Sequence, residues 1–291
     1  MPVNRLIFQD AEKARNSIAL EQRREIKRLY SDWAEEVSDR ADVYSRMTTS
    51  SSVLMERNLR DLEDMLIRSS ERVSGNVEGI VKKNIRNMSS VVVSSHTQWI
   101  GSIGVRIGGS MAASYVSVPD TIVQRLVMGQ IYKSGWSLSG SIWTDNQRTQ
   151  KQIYEIVAGG VAQNKSVYEI SKELERWVNP DKRNPWNLRN AQGRKIYPRS
   201  VDYNSQRLAR TLTQHAYQQS LVESTKNNDL ITGFKWVANG SRACDVCLDK
   251  NGTIYPKDEL PLDHPNGMCV FTPVVVDDWK QKLADMLTLD E

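Results

Sequence analysis

The chain has 291 residues, of which 39% are hydrophobic and 25% are charged, so it is long enough for one large or two ordinary domains and polar enough to be soluble. It contains no run of 18 or more apolar residues and no apolar signal region at residues 1–5, which argues against a membrane span and against export by that route. The net charge of +4 at pH 7 is unevenly placed, since residues 181–210 carry eight Lys or Arg against two Asp, and residues 257–291 carry eight Asp or Glu against three Lys.

The first 118 residues show helical periodicity. Between about residues 18 and 43, apolar residues recur at steps of three and four, at Ile26, Leu29, Trp33 and Val37. After a run of Thr and Ser at 48–52, a longer stripe follows, in which Ser69 fills one step between Met55, Leu59, Leu62, Leu66, Val73, Val77 and Ile80. Spacing this close to a heptad predicts elongated N-terminal helices, either a helical hairpin or a coiled coil that docks on a partner. Residues 99–118 are rich in small residues and predict a flexible connection with some helix.

Residues 119–228 predict a helical core. The segment Trp143-Thr144-Asp145-Asn146 leads into a helix that runs to about Gln163, and Asn164-Lys165 turns the chain. Ser166 and Glu169 form a Ser-x-x-Glu capping box, which predicts the start of a second helix there.

Asn179-Pro180 predicts the end of that second helix, because proline cannot continue it. Residues 204–225 predict a third helix, which contains His215. No cysteine or carboxylate lies at a useful spacing from His215, so we expect a packed or capping histidine rather than a catalytic one.

A basic loop at residues 181–203 separates the second and third of these helices. Cations neutralise phosphates, and interleaved Trp and Tyr side chains can stack on exposed bases, so the loop is a candidate for sequence-blind contact with DNA. The candidate nucleic-acid-binding residues are Lys182, Arg183, Trp186, Arg189, Arg194, Lys195 and Arg199. The alternative is a solvated loop whose charges bind nothing specific.

All three cysteines of the chain lie in residues 244–269, together with one of its three histidines. The thiolates of Cys244 and Cys247, in a Cys-x-x-Cys pair, can bind one metal ion from a single tight turn. His264 and Cys269 would complete a tetrahedral Cys3His shell, which is a standard closed zinc site. Because this shell leaves no position for a reactive water, we expect structural zinc and no enzymatic activity. The alternative is three buried or unused thiols and a surface histidine; a disulfide framework is disfavoured by the odd number of cysteines.

Short β-segments surround this cluster. The segment 234–237 alternates like a strand, Asn251-Gly252 predicts a type I′ turn before a strand at 253–255, and the β-rich run 270–276 contains Pro273, which restricts it to an edge or a strand end. Metal binding contributes on the order of 10 kcal/mol or more to the folding of such small modules. We therefore predict a mainly α fold with a small C-terminal α+β module stabilised by zinc.

This module would span residues 229–291 and follow an N-terminal helical region at 1–118 and the helical core at 119–228. Its last element would be an acidic helix at about 277–287.

Several motifs of the module occur in a fixed order: Gly233-Phe234-Lys235-Trp236, Cys244-x-x-Cys247, Asn251-Gly252-Thr253-Ile254-Tyr255, His264-Pro265-Asn266 and Cys269. Together they resemble the C-terminal signature of the phage Mu F-like minor head proteins, the head morphogenesis family of tailed phages and prophages. That family usually ends in His-Pro-Asn-Cys-Arg-Cys, whereas this chain has Gly267 in place of the first of the two cysteines. Cys269 is therefore the remaining candidate for the fourth ligand.

Two further stretches resemble the same family, so that the likeness covers about residues 120–276. One runs from Trp143 through Asn164-Lys165-Ser166 to Ile170-x3-Leu174, and the other is Arg207-Leu208-Ala209-Arg210-Thr211. The resemblance implies a minor capsid protein that associates with the portal protein, with other capsid proteins or with the head interior, and in some systems with DNA packaging or ejection. It also implies localisation in the virion head after synthesis in the cytoplasm of a bacterial host.

Two other function classes stay open at this point. A zinc-dependent nuclease would use a carboxylate near the ligands as its general base, and the candidates are Asp245, Asp249, Glu259 and Asp263. A host nucleic-acid-binding protein with a zinc ribbon would prefer particular base sequences, whereas a virion protein would bind DNA without sequence preference.

Overall fold

The computed structural model describes residues 4–47, 52–102, 109–132, 137–182, 202–240, 243–278 and 281–282. These residues form α1 (Asn4–Ser45), α2 (Ser52–Ser102), α3 (Gly109–Val127), α4 (Leu138–Ala162), α5 (Val167–Val178), α6 (Asp202–Thr225), β1 (Ile231–Val237), α7 (Asp245–Lys250), β2 (Ile254–Pro256) and β3 (Val270–Val275). The fold is mainly helical with a small antiparallel sheet near the C-terminus, which confirms the predicted mainly α class, whereas stabilisation of the C-terminal module by zinc stays a prediction. Among the described helices, none is long and apolar enough to span a bilayer.

The chain divides into two compact units, each built from segments that are distant in sequence. The first unit comprises residues 1–21, 81–135 and 208–291, and the second comprises residues 22–80 and 136–207. Because these bounds fall inside α1, α2 and α6, those three helices contribute residues to both units. The three consecutive domains expected from the sequence stay a prediction.

In the second unit, α1 and α2 pack as an antiparallel hairpin. The Tyr44 hydroxyl donates to the carbonyl of Asn58 at 3.2 Å, and the Ser69 hydroxyl donates to the Glu36 carboxylate at 3.1 Å, so residue numbers on α1 fall as those on α2 rise. The hairpin, one of the two arrangements predicted, is the one observed. Most of the predicted apolar stripe is buried in this unit, at Ile26, Trp33, Val37, Leu62, Leu66, Val73 and Val77.

Helix α4 begins earlier than the sequence predicted. Its N-cap is Ser137, whose hydroxyl accepts the backbone N–H of Gly140 at 3.1 Å. The prediction of a start at Trp143 was wrong, because Ser137 caps the helix ahead of it and the first turn buries Leu138 completely.

Helix α5 matches its prediction at both ends. The hydroxyl of Ser166 accepts the backbone N–H of Glu169 at 3.2 Å, and the Glu169 carboxylate accepts the backbone N–H of Ser166 at 2.8 Å, so the capping box is confirmed. The helix ends at Val178 with Asn179 as its C-cap.

In the first unit, the segment 99–118 is mostly helical in its described part. Helix α2 continues to Ser102, and α3 begins at Gly109, so the predicted flexible connection is too broad.

The sheet of the first unit has the order β2-β1-β3 with antiparallel pairing throughout. Pro273, which lies opposite Phe234, belongs to an edge strand, where a missing N–H costs no ladder hydrogen bond; this confirms the expectation for that residue. Trp236 and Phe271 face the core of the unit, with ring centroids 4.9 Å apart in an edge-on arrangement. The predicted acidic helix at 277–287 lies largely outside the described residues.

The turn at Asn251-Gly252 differs in type from the prediction. Asn251 keeps φ −61° and ψ 125°, Gly252 has φ 87°, and the N–H of Thr253 donates to the carbonyl of Lys250 at 3.0 Å. These are the angles of a type II turn, in which only the third residue needs a positive φ. The type I′ prediction was wrong because the turn joins the end of α7 to β2, whereas type I′ turns match the twist of two strands of a hairpin.

Candidate metal centre

The two pairs of candidate metal ligands lie in different local structures, a short helix and a loop. Cys244 is the N-cap of α7 and Cys247 lies in its first turn, which brings both sulfurs to one end of a short helix. His264 and Cys269 lie in the segment between β2 and β3. There the N–H of Gly267 donates to the carbonyl of His264 at 2.8 Å, and Asn266 has φ 66°. Pro265 and Asn266 suit a type II turn, because proline fixes φ near −65° and asparagine tolerates the left-handed region.

The four predicted metal ligands lie close together, in two overlapping groups of ligand atoms. The ligand atoms of Cys244, Cys247 and His264 lie within 4.8 Å of one another. Those of Cys247, Asp263 and Cys269 form a second such group, so Cys247 is common to both. Cys244 and His264 are exposed, whereas the residues of the second group are buried.

The distance between Cys244 and His264 in the first group suits a zinc ion. Ligand atoms about 2.3 Å (sulfur) or 2.0–2.1 Å (nitrogen) from a tetrahedral zinc ion lie about 3.6 Å from each other. The Sγ of Cys244 and the Nε2 of His264 are 3.3 Å apart. The Nδ1 of His264 lies 2.9 Å from the carbonyl oxygen of Pro265, which can only accept, so Nδ1 carries the proton and the lone pair of Nε2 faces the sulfur. Metal-binding histidines are held in this way by their second nitrogen.

The thiols differ in how readily they ionise. A hydrogen bond from the backbone of Cys247 lowers the pKa of Cys244. Burial raises the pKa of Cys247 and of Cys269, and the negative charge of Asp263 raises both further. The two buried thiols are therefore protonated at neutral pH unless a cation displaces their protons, as metal binding does.

Asp263 is the member of the cluster that the zinc-site prediction did not include. Its Oδ1 accepts the backbone N–H of His264 at 2.9 Å, and its Oδ2 accepts the backbone N–H of Cys269 at 3.1 Å. The carboxylate therefore bridges the loop that carries two of the predicted ligands. Sequence reasoning named Asp263 only as a candidate general base, although its position directly before His264 is a signal that it shares the loop.

Helix α6 holds this loop through a stripe of polar side chains. Thr211, Gln214, His215 and Gln218 are spaced by three and four residues, so they lie on one face of the helix, and all four are buried. Gln214 donates to the carbonyl of Cys269 at 2.8 Å, and Gln218 accepts the N–H of Asp263 at 3.0 Å. A polar stripe on an otherwise packed helix was the signal that could have found these residues.

His215 is packed in this stripe, in agreement with the sequence. Its Nε2 lies 2.9 Å from the carbonyl oxygen of Asp263, so Nε2 carries the proton, and its Nδ1 accepts from the hydroxyl of Tyr132 at 2.7 Å. Burial lowers its pKa, which keeps the ring neutral. Both ring nitrogens are used in structural contacts.

Arg15 of α1 adds a buried cation next to the loop. Its Nη1 donates to the carbonyl of Cys269 at 2.8 Å and to the Oε1 of Gln214 at 3.0 Å, and its guanidinium lies 5.0 Å from the centroid of the Tyr217 ring. The positive charge partly offsets the thiolates that a bound metal would require. No pattern in the sequence pointed to this residue.

The other carboxylates considered for a nuclease are not part of the cluster. Asp245, Asp249 and Glu259 are exposed, and none of them belongs to either group of ligand atoms. Asp263 alone of the four lies among the ligands, where it already accepts three N–H groups, including one from Gln214.

The candidate nucleic-acid-binding residues fall mostly outside the described part of the chain. Lys182 is described, and its ammonium group pairs with the nearly buried carboxylate of Glu175. The remaining six, Arg183, Trp186, Arg189, Arg194, Lys195 and Arg199, lie outside the described residues.

Comparisons of the chain with protein-family models, with curated proteins and with solved structures found no match. Support for a metal site therefore comes from the geometry of the Cys/His cluster itself.

Proposed function

We propose that Cys244, Cys247, His264 and Cys269 bind a structural zinc ion, and that the chain is a non-catalytic assembly protein of the head of a tailed phage or prophage. In this role it is a minor capsid protein that contacts the portal protein and other capsid proteins. It is made in the bacterial cytoplasm and ends in the virion head.

The observation that carries the metal part of the proposal is the closeness of the Cys and His ligand atoms, on a loop that is attached to α6 and Arg15. Three thiols and an imidazole have the chemistry of a closed zinc shell, and zinc is held by such sets without an open position for water. When bound, the ion would supply cross-linking rather than Lewis-acid chemistry. It would join α7 to the loop before β3, and the loop is itself hydrogen-bonded to α6 and α1.

A cross-link of this kind supports an architectural role. The buried side chains that meet the loop, Gln214, His215 and Gln218, are all used to hold backbone groups. A reactive centre would instead need a general base and a free coordination position close to the metal.

The assignment to a phage head rests on the resemblance of residues 120–276 to the head morphogenesis family. The motifs of that resemblance include the four ligands proposed here, the Asn164-Lys165-Ser166 turn and the 207–211 segment of α6. Contact with viral DNA through the basic loop is part of the same proposal and predicts binding that weakens steeply with salt and ignores base sequence.

The experiment that tests the proposal measures zinc in the purified protein by atomic emission, for the wild type and for Cys244→Ser, with Ser45→Ala as an exposed control. We expect about one zinc per wild-type and control chain and a clear loss in Cys244→Ser. Absence of zinc in the wild type, or full occupancy in Cys244→Ser, would contradict the ligand assignment.

The assembly role is tested separately by co-purification with a portal protein and by assay of purified virions. We expect the chain in the head fraction, in an amount below that of the major capsid protein. A chain that binds zinc but is found neither with a portal protein nor in virions would contradict the assembly role and leave the zinc site standing.

A further inference from the structure

We propose that Asp263 is a fifth metal-binding residue, whose carboxylate can take the fourth coordination position next to the three cysteines in place of His264. The inference rests on the proposed metal site and extends it, because the ion would then have two alternative closures, one exposed and one buried.

The first observation is the position of the carboxylate in the cluster. Asp263 belongs to a group with Cys247 and Cys269 in which all ligand atoms lie within 4.8 Å of one another. Its Oδ1 is 4.0 Å from the Sγ of Cys247, and two ligand atoms on one tetrahedral zinc ion are about 3.6 Å apart. A shift of a few tenths of an ångström brings this pair to the separation that a shared ion requires.

The second observation is the hydrogen bonding of the two oxygens. Oδ2 accepts from the side chain of Gln214 at 2.9 Å and from the N–H of Cys269 at 3.1 Å, which uses both of its lone-pair positions. Oδ1 accepts one strong bond, from the N–H of His264 at 2.9 Å, and its second position faces the thiol of Cys247. When the thiol loses its proton to solvent on metal binding, that position is available to the ion.

The third observation is the space that Gly267 provides. A Cβ atom on Gly267 would lie 2.2 Å from the carboxyl carbon and from both oxygens of Asp263. Any side chain at position 267 therefore excludes the present position of the carboxylate. The glycine lets a carboxylate occupy the place next to the ligands that a side chain at 267 would otherwise fill.

The fourth observation is the electrostatic situation of Asp263. The residue is 3% exposed, and within the described part of the chain it forms no ion pair. A divalent ion held by Cys247 and Cys269 would lie next to this carboxylate and pair with it.

The experiment compares His264→Ala, Asp263→Asn and the double variant in the full chain, with His264→Ala combined with Asp249→Asn as the matched control. Asp249 is an exposed carboxylate of α7 outside the cluster. Bound zinc is measured by competition with a chromogenic chelator, and zinc-edge X-ray absorption counts sulfur neighbours at about 2.3 Å and oxygen or nitrogen neighbours at about 2.0–2.2 Å.

We expect His264→Ala to keep one zinc with three sulfur neighbours and one oxygen neighbour and without the imidazole scattering of the wild type. We expect Asp263→Asn to keep zinc through His264. The double variant should bind zinc about tenfold more weakly than His264→Ala, or worse, while the Asp249 control should match His264→Ala. Loss of zinc in His264→Ala alone, or equal affinity in the double variant, overturns the inference.

Gly267→Ala decides the question if Asp263→Asn prevents folding. This substitution removes no ligand but displaces the carboxylate, so zinc should persist in the Gly267→Ala variant and weaken about tenfold when it is combined with His264→Ala. Equal zinc affinity in His264→Ala with and without Gly267→Ala overturns the inference. The wild type is measured first, because a wild type without zinc contradicts the proposed function rather than the role of Asp263.

Discussion

Gln214→Met is the substitution that most directly tests how the ligand loop is held on the helical body. Methionine keeps the volume and the flexibility of glutamine, so the change removes hydrogen bonds without opening a cavity. The amide of Gln214 accepts from Arg15 at 3.0 Å and donates to the carboxylate of Asp263 at 2.9 Å and to the carbonyl of Cys269 at 2.8 Å. Two of these three partners, Arg15 and Asp263, contact Gln214 through a guanidinium and a carboxylate group, and all of these residues are buried.

The expected loss follows from these contacts. A hydrogen bond to a charged partner contributes about 1.5–3 kcal/mol and a neutral one about 1 kcal/mol. The carbonyl of Cys269 keeps its bond from Arg15, so its share of the loss is small. We therefore expect Gln214→Met to lower the free energy of unfolding of the chain by about 3–5 kcal/mol.

The assay is native-state hydrogen exchange of the loop amides together with urea unfolding. The N–H groups of His264 and Cys269 both donate to Asp263, so they report the opening of the loop itself. Gln147→Met is the control, because Gln147 is exposed on α4 and such changes stay within about 0.5 kcal/mol. If Gln214→Met costs less than about 1 kcal/mol and leaves both amides as protected as in the wild type, the loop is not held through Gln214 and the reasoning is refuted.

Three further predictions concern the rest of the chain. A Cβ on Gly160 would lie 2.5 Å from the Cγ1 of Ile170, whereas a Cβ on Gly159 would meet nothing within 4 Å. In thermal unfolding, Gly160→Ala should therefore lower the free energy of unfolding by about 1–3 kcal/mol, and Gly159→Ala should raise it by about 0.5–1 kcal/mol. Equal effects of the two substitutions would contradict the close approach of α4 and α5. Ser166→Ala removes the capping box and should cost about 1 kcal/mol by urea unfolding, and a change near zero would show that the cap is not needed. Burial lowers the pKa of His96 from 6.5 to about 4, so between these pH values His96 is protonated in the unfolded chain and neutral in the folded chain. The contribution of neutral His96 to the free energy of unfolding is therefore fully present above pH 6.5, and about 3 kcal/mol of it is lost as the pH falls to about 4. His96→Gln should flatten the pH dependence of the unfolding free energy in this range, and an unchanged slope would exclude His96 as its source.

Local patterns predicted the elements whose signals are local. The capping box at Ser166 depends on two side chains three residues apart, and it formed as predicted. Pro273 was correctly placed in an edge strand because a missing N–H has the same consequence in any sheet. The start of α4 and the type of the Asn251-Gly252 turn were wrong for a related reason. Each depends on which element the segment joins, and the sequence of the segment is compatible with more than one answer.

The clustering of Cys244, Cys247, His264 and Cys269 was predicted from ligand type and spacing, because zinc chemistry restricts both. The supporting residues could not be predicted in this way. Arg15 lies 254 residues and Gln214 lies 55 residues from Cys269 along the chain. Both side chains contact Cys269 only after α1, α6 and the sheet have packed.

The sequence by itself determined that long helices precede a small sheet and which Cys and His side chains lie together in the candidate metal centre, since periodicity, caps and ligand spacing act over short distances. Tertiary structure alone decided that Asp263 lies within the cluster against Gly267, that α6 presents its polar stripe to the ligand loop, and that a buried arginine lies next to it. A buried polar group must find its partners wherever the packed chain places them, and those partners are set by contacts between segments rather than by neighbours in sequence.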